Sequence, residues 1–186
     1  IAREITNRVK IPVGINVLRN DADAALAVAT ASSAHFIRVN VHNGAALADQ
    51  GIIEGQAHAT LRKRALLRSN VLIFADVAVK PAQPLTALDL PTMTRDLAER
   101  SLVDAIIVSG TGTGAETQLN DLKTVKENTE LPVLIGSGTT PSNLRHLHSL
   151  ANGFIVGSYF KRDGVADNEV EAARVKDFVQ VYNVLS

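Results

Sequence analysis

Six short runs of apolar, mostly β-branched residues punctuate the chain: PVGINVL at 12–18, HFIRVNV at 35–41, NVLIFADVAV at 70–79, DAIIVSG at 104–110, PVLIGSG at 132–138 and GFIVGSYF at 153–160. Each is nearly continuous in apolar residues instead of alternating, the pattern of strands buried on both faces of a parallel sheet. The stretches between them predict helices over 21–33, 55–69, 91–100, 115–128, 141–150 and 168–185, with residues 1–10 ending an earlier helix. Start signals agree: Asp21 follows Asn20, and Thr140 precedes Pro141, a capping side chain followed by proline at the first helical position. The chain therefore reads as a helix and six β-α units. No composition break marks a boundary, so residues 1–186 are expected to form a single domain.

Parallel strands alternating with helices form either a doubly wound open sheet or a (β/α)8 barrel. A dinucleotide-binding sheet would carry its glycine fingerprint after the first strand, where this chain has Leu18-Arg19-Asn20-Asp21. The glycines come instead after the last two strands, as Gly136-Ser137-Gly138 and Gly157-Ser158. Barrels build phosphate sites there, in the loops after strands seven and eight. The expected fold class is thus α/β, of the (β/α)8 TIM-barrel type, with the six runs as strands three to eight and the first two β-α units absent. Those two units would add about 60 residues, towards the about 250 usual for the fold. Six strands alone would leave two open edges, which proteins normally avoid.

Composition narrows the function classes. Apolar residues make up 46% and charged residues 20% of the 186, as in an ordinary globular protein and unlike a disordered chain. Lys plus Arg and Asp plus Glu each number 19, so the net charge is zero, which argues against a nucleic-acid binder or a polybasic membrane anchor. Without cysteine there is no disulfide framework, thiolate metal site or cysteine nucleophile, in keeping with a reducing, cytoplasmic compartment. The longest apolar stretches, such as VLIFADVAV, are far shorter than the roughly 20 residues that span a bilayer. No signal-peptide pattern opens the chain, and its start at Ile1 leads us to expect the true N-terminus upstream.

Candidate chemistry gathers at the carboxyl ends of the predicted strands, where barrel active sites lie. Glycine lets backbone N–H groups approach an anion, so the turns at Gly136, Ser137 and Gly138 and at Gly157 and Ser158 are candidate phosphate binders; singly, each could be a mere tight turn. The loop Gly110-Thr111-Gly112-Thr113-Gly114 could clasp a ligand or simply cross the rim. Alternation puts Arg38, Asn40 and His42 on one face of the second strand. Asp76 lies in an apolar strand with Lys80 four residues on, and a buried carboxylate needs a cation or a ligand. The two are either a structural ion pair or a proton-transfer pair. Asn16 could orient a substrate hydroxyl or begin a turn. Of five histidines only His42 falls at a carboxyl strand end; no two have metal-ligand spacing, and no metal or cofactor is expected. Arg62-Lys63-Arg64 with Arg68 reads as a solvated helix face.

These residues also carry a family resemblance. PVGINVLRNDADAALAVA, FIRVNVHNGA, ADQGIIEGQA, LRKR, IFADVAVK, DAIIVSGTGTG, PVLIGSGTTPSN and IVGSYFKRDG resemble the BtpA/SgcQ family over nearly the whole chain from about residue 10. The resemblance implies a barrel of the ribulose-phosphate-binding type. It implies matching polar positions at Asn16, Arg19, Asn40, His42, Asp49, Gln50, Glu54, Asp76 and Lys80. The family commonly reads D-V-H-V-K-H after the fifth strand, where this chain has Ala78 and Pro81 in place of the histidines. Two functions are then expected to compete. One is an enzyme, a phosphosugar isomerase or lyase, with Asp76, Lys80 and His42 as the catalytic set and Asn16, Asn40, Asp49, Glu54, Ser109 and Gly110 meeting a phosphorylated sugar or nucleotide-like metabolite. The other, implied by the cyanobacterial members, is a non-catalytic factor for photosystem I at the thylakoid surface. Neither needs nucleic acid or a membrane span, and both leave room for a homo-oligomer.

Overall fold

Helices start where the sequence supplies a cap. In the computed structural model, which describes residues 1–48, 51–78, 83–85, 89–110 and 117–185, Asp21 takes the Ala24 N–H at 2.9 Å and opens a helix at Ala22. Asp89 does the same for Thr92 at 2.8 Å, and Thr140 and Asn143 form a reciprocal capping box ahead of Pro141. In chain order the elements are α1 (Ala2–Arg8), β1 (Gly14–Ile15), α2 (Ala22–Ser32), β2 (Phe36–Val39), β3 (Ala45–Ala48), β4 (Gly51–Glu54), α3 (Ala57–Leu66) and β5 (Leu72–Val77). They continue with β6 (Gln83–Pro84), α4 (Leu90–Arg95) running into a π-helical turn at Asp96–Arg100, β7 (Ala105–Val108), α5 (Leu119–Glu127), β8 (Val133–Ile135), α6 (Pro141–Leu147), β9 (Gly153–Phe154) and α7 (Ala172–Leu185).

All six expected strands pair in parallel, in the order β1-β2-β5-β7-β8-β9, each beside the strand expected next to it. The register sorts their side chains into two faces. Ile37, Val39, Ile73, Ala75, Val77, Ile106, Val108, Val133 and Ile135 pack with Leu26, Leu97, Leu122 and Val125 of the helices in one buried cluster. The opposite face carries Phe36 and Phe74, stacked 4.5 Å apart beside Gly14, then Arg38, Asp76 and Ser109 towards the carboxyl ends. Among the described residues no helix is long and apolar enough to cross a membrane.

Three expectations are corrected. The first strand is short, limited to Gly14–Ile15. The run at 153–160 is strand only over Gly153–Phe154 and then turns into a 3-10 helix at Ser158–Phe160, because Tyr159 and Phe160 pack their rings on Phe178 of α7. The stretch after the second strand, read as loop, is a β-hairpin: β3 and β4 pair antiparallel, and β6 adds to β3.

Candidate functional site

The strand ends surround a cavity of about 570 Å³. Its wall runs from Asn16 after β1, through Arg38 and Asn40, to Ser109 and Gly110, then to Gly136–Thr140 and finally to Gly157, Ser158 and Tyr159. All five residues of the two glycine turns thus share one cavity. Gly136 is required by close approach: a Cβ there would stand 2.6 Å from Ser109 Oγ and 2.7 Å from Ile107 Cγ2. Gly138 has φ +73, the left-handed region that favours glycine. Ser137 Oγ accepts the Gly110 N–H at 2.8 Å and ties the turn to the neighbouring strand end.

The cavity wall is cationic. Arg19, Arg38, Lys161 and Arg174 line it, and no carboxylate does so among the described residues. Lys161 and Arg174 are half-buried beside the glycine turns, and no described carboxylate lies within ion-pair distance of either. Arg174 donates through Nε to the Tyr159 carbonyl and lies over the Tyr159 ring, 4.5 Å from its centroid. The Tyr159 hydroxyl donates to Asp177 at 2.6 Å, and that bond is the main cause of a raised phenol pKa, so the ring stays neutral.

Among the described residues, Asp76 is the most heavily bonded side chain at the other end. Its carboxylate is fully buried, and each oxygen accepts twice: Oδ1 from Arg38 Nη2 at 2.7 Å and Ser109 Oγ at 2.7 Å, Oδ2 from Arg38 Nε at 2.9 Å and Asn40 Nδ2 at 3.2 Å. Among the described residues, its cation is Arg38. Lys80, the partner expected from spacing, and Asp49 lie outside the described residues. Asn16 joins the group by donating to the Arg38 carbonyl at 2.9 Å and weakly to Asn40 Oδ1 at 3.5 Å. Arg38, placed by the sequence only on the face of Asn40, is the site residue that spacing undervalued; its signal was an arginine amid FIRV, where a charge is costly to bury unless it is paired.

Two expected residues stand elsewhere. His42 does not line the cavity. Strand alternation ends with β2 at Val39, and the ring is enclosed with Nε2 donating to the Ser101 carbonyl at 3.2 Å and Nδ1 without a partner among the described residues. Its pKa is lowered, chiefly by burial; the Ser101 bond opposes this and the Arg64 charge adds to it. Glu54 is exposed at the end of β4, opposite Ala45, and also lies off the cavity wall. Ala78, at a position where the family resemblance implies histidine, lines a hollow of about 30 Å³ with Asp76 and Asn40; Pro81 lies outside the described residues. No cluster of His, Asp and Glu suited to a metal occurs among the described residues.

A parallel sheet with helices on one face, and a polar cavity at the carboxyl ends of its strands, defines an α/β protein of the TIM-barrel type carrying six of the eight β-α units. The chain belongs to the BtpA family, whose model matches residues 1–184. An uncharacterised protein of Methanocaldococcus jannaschii is 46% identical over 185 residues, covering 100% of this chain and 70% of its own length. The photosystem I biogenesis protein BtpA of Synechocystis sp. is 47% identical over 181 residues, covering 97% of this chain; the chain spans 63% of that relative. Among solved structures, phosphoribosyl anthranilate isomerase of Thermus thermophilus superposes with a TM-score of 0.66 at 12% identity, over 100% of this chain and 80% of that one. The 3-hexulose-6-phosphate synthase of Salmonella typhimurium does so with a TM-score of 0.66 at 16% identity, over 99% and 79%. Both likenesses are of fold.

Proposed function

We propose that this chain binds a small phosphorylated metabolite in its cavity and serves isomerase- or lyase-type proton transfer on it. The observation that carries the reading is the wall at the β8–β9 end: two glycine turns facing one space, with Lys161 and Arg174 beside them and no described carboxylate. A phosphate accepts from N–H donors and gains from positive charge, and such a wall offers both. In this reading Asp76 positions Arg38 instead of taking a proton, because both its oxygens are already occupied. Lys80 is the proton-moving group, and His42 has no part.

The test is thermal unfolding of the full chain against inorganic phosphate and a panel of sugar phosphates, since a ligand at 100 times its Kd stabilises the native state by about 2.7 kcal/mol. The reading expects a rise in Tm of several degrees with at least one sugar phosphate, lost in the Lys161→Glu/Arg174→Glu variant. No rise with any member of the panel overturns it.

We also infer a second reading, a non-catalytic photosystem I factor acting at a thylakoid surface; the name of the Synechocystis relative, a photosystem I biogenesis protein, supports its link to the photosystem. Leu47 and Ile52, paired across the β3–β4 hairpin and both more than half exposed, would be its contact. That reading expects Leu47→Asp/Ile52→Asp to abolish photosystem accumulation in a host strain, and the double charge reversal at Lys161 and Arg174 to leave it intact.

A further inference from the structure

The two ends of the cavity differ in charge and in hydrogen-bonding sense. At the β8–β9 end, Lys161 and Arg174 have no acidic partner among the described residues, so that end offers donors and net positive charge. At the β1–β2 end the charge of Arg38 is cancelled by the fully buried Asp76, held through both Nε and Nη2. Arg19, exposed beside it, is itself engaged in an interaction.

What remains at the β1–β2 end is a mixed set. Arg38 Nη1, outside the bonds to Asp76, is a donor. Asn16 Oδ1, whose amide nitrogen is committed to the Arg38 carbonyl, is an acceptor, and so is the remaining lone pair of Ser109 Oγ, whose proton goes to Asp76 and which accepts weakly from Arg38 Nη2 at 3.5 Å. Hydroxyl groups both give and accept hydrogen bonds and fit such a set. A carboxylate or phosphate only accepts; it would meet the acceptor oxygens of Asn16 and Ser109, lose its hydration and draw no net positive charge from the Arg38–Asp76 pair. β2 and β8 are three steps apart in the sheet, about 14 Å around the wall at the usual strand spacing and less across the mouth. One extended ligand can therefore touch both ends.

We propose that the Arg38–Asp76 pair is a neutral specificity element: it admits the hydroxylated, uncharged end of a phosphorylated polyol or sugar and discriminates against ligands with a second anionic group there. The proposal rests on the reading that the phosphate lies at the glycine turns. Arg38 would touch the ligand; Asp76 acts through Arg38 and is a positioning residue.

Sorbitol 6-phosphate and 6-phosphogluconate share a six-carbon chain and a phosphate, and differ at the far carbon as hydroxymethyl against carboxylate. Titration calorimetry of the full chain at pH 8, with inorganic phosphate as reference, is expected to find sorbitol 6-phosphate bound at least tenfold tighter than 6-phosphogluconate. Asp76→Asn uncovers the Arg38 charge and should move that ratio at least tenfold towards 6-phosphogluconate. Asn16 is exposed, so Asn16→Ala keeps the fold available even if Asp76→Asn does not; it should weaken sorbitol 6-phosphate severalfold and leave inorganic phosphate unchanged. Equal binding of the two probes, a preference for 6-phosphogluconate, or an Asn16→Ala variant indistinguishable from the native chain overturns the inference while phosphate binding stands. If neither probe nor phosphate binds, the phosphate reading itself has failed and the inference falls with it.

Discussion

The two faces of the parallel sheet are built from the same strands and hold together by different physics. The helix-facing side is a continuous apolar cluster in which Ile37, Ile73, Ile106 and Ile135 are completely buried. The inward side buries an ion pair and its hydrogen-bond partners one residue away along the same strands. On the apolar side any well-shaped side chain contributes by area. On the polar side each group depends on named partners, and removing one leaves another buried and uncompensated. The inward side is therefore more sensitive per substitution, although it buries less apolar surface.

The largest effect is expected from Asp76→Ala, which strips Arg38 of its buried counter-charge and should cost about 3–5 kcal/mol, read as a fall in the urea midpoint. Ile106→Ala, on the other face of the neighbouring strand, should cost about 2–5 kcal/mol by transfer and cavity terms. A cost for Asp76→Ala well below that for Ile106→Ala would break the comparison. Gly136→Ala forces a Cβ against Ser109 Oγ and Ile107 and should cost about 1–3 kcal/mol. Gly157→Ala, whose Cβ would meet nothing within 4 Å, should stay within about 0.5 kcal/mol, so the pair of glycines separates close approach from open space.

The smallest effect is a pH slope from His42. Its folded pKa lies below the ordinary value of about 6.5. Below about pH 6.5 the unfolded chain takes up a proton that the folded chain refuses. The contribution of the neutral ring is therefore complete above that pH and is lost as pH falls towards the folded pKa. Urea midpoints measured from pH 7 to pH 5 should fall more steeply in the native chain than in His42→Leu; equal slopes would sink the assignment.

Much of the fold was legible because the outward face and the helix caps are local statements. Apolar runs such as DAIIVSG, the capping residues Asp21 and Thr140, and glycines after the last two strands needed no knowledge of partners. The family resemblance pointed to the same barrel, and the match to the family model over residues 1–184 bears it out. The β3–β4 hairpin escaped notice because its strands are short and half-exposed, and Ala-Ala-Leu-Ala is a weak strand signal. The candidate site was legible in part: Asn16, Asn40, Ser109, Gly110 and the two glycine turns all line the cavity, whereas His42 and Glu54 do not.

By itself, then, the sequence determined the order and kind of the main elements, the parallel sheet and the end at which polar residues gather, because burial period and capping are written in neighbouring residues. Only the tertiary structure decided who pairs with whom. Asp76 meets Arg38, 38 positions away, because β2 and β5 lie side by side in a register that puts Arg38 opposite Phe74 and brings Asp76 within reach. His42 left the mouth because alternation holds only while the backbone stays extended, and the strand ends three residues before it. Partner choice across strands is set by register and packing, and neither is a property of any stretch of chain taken alone.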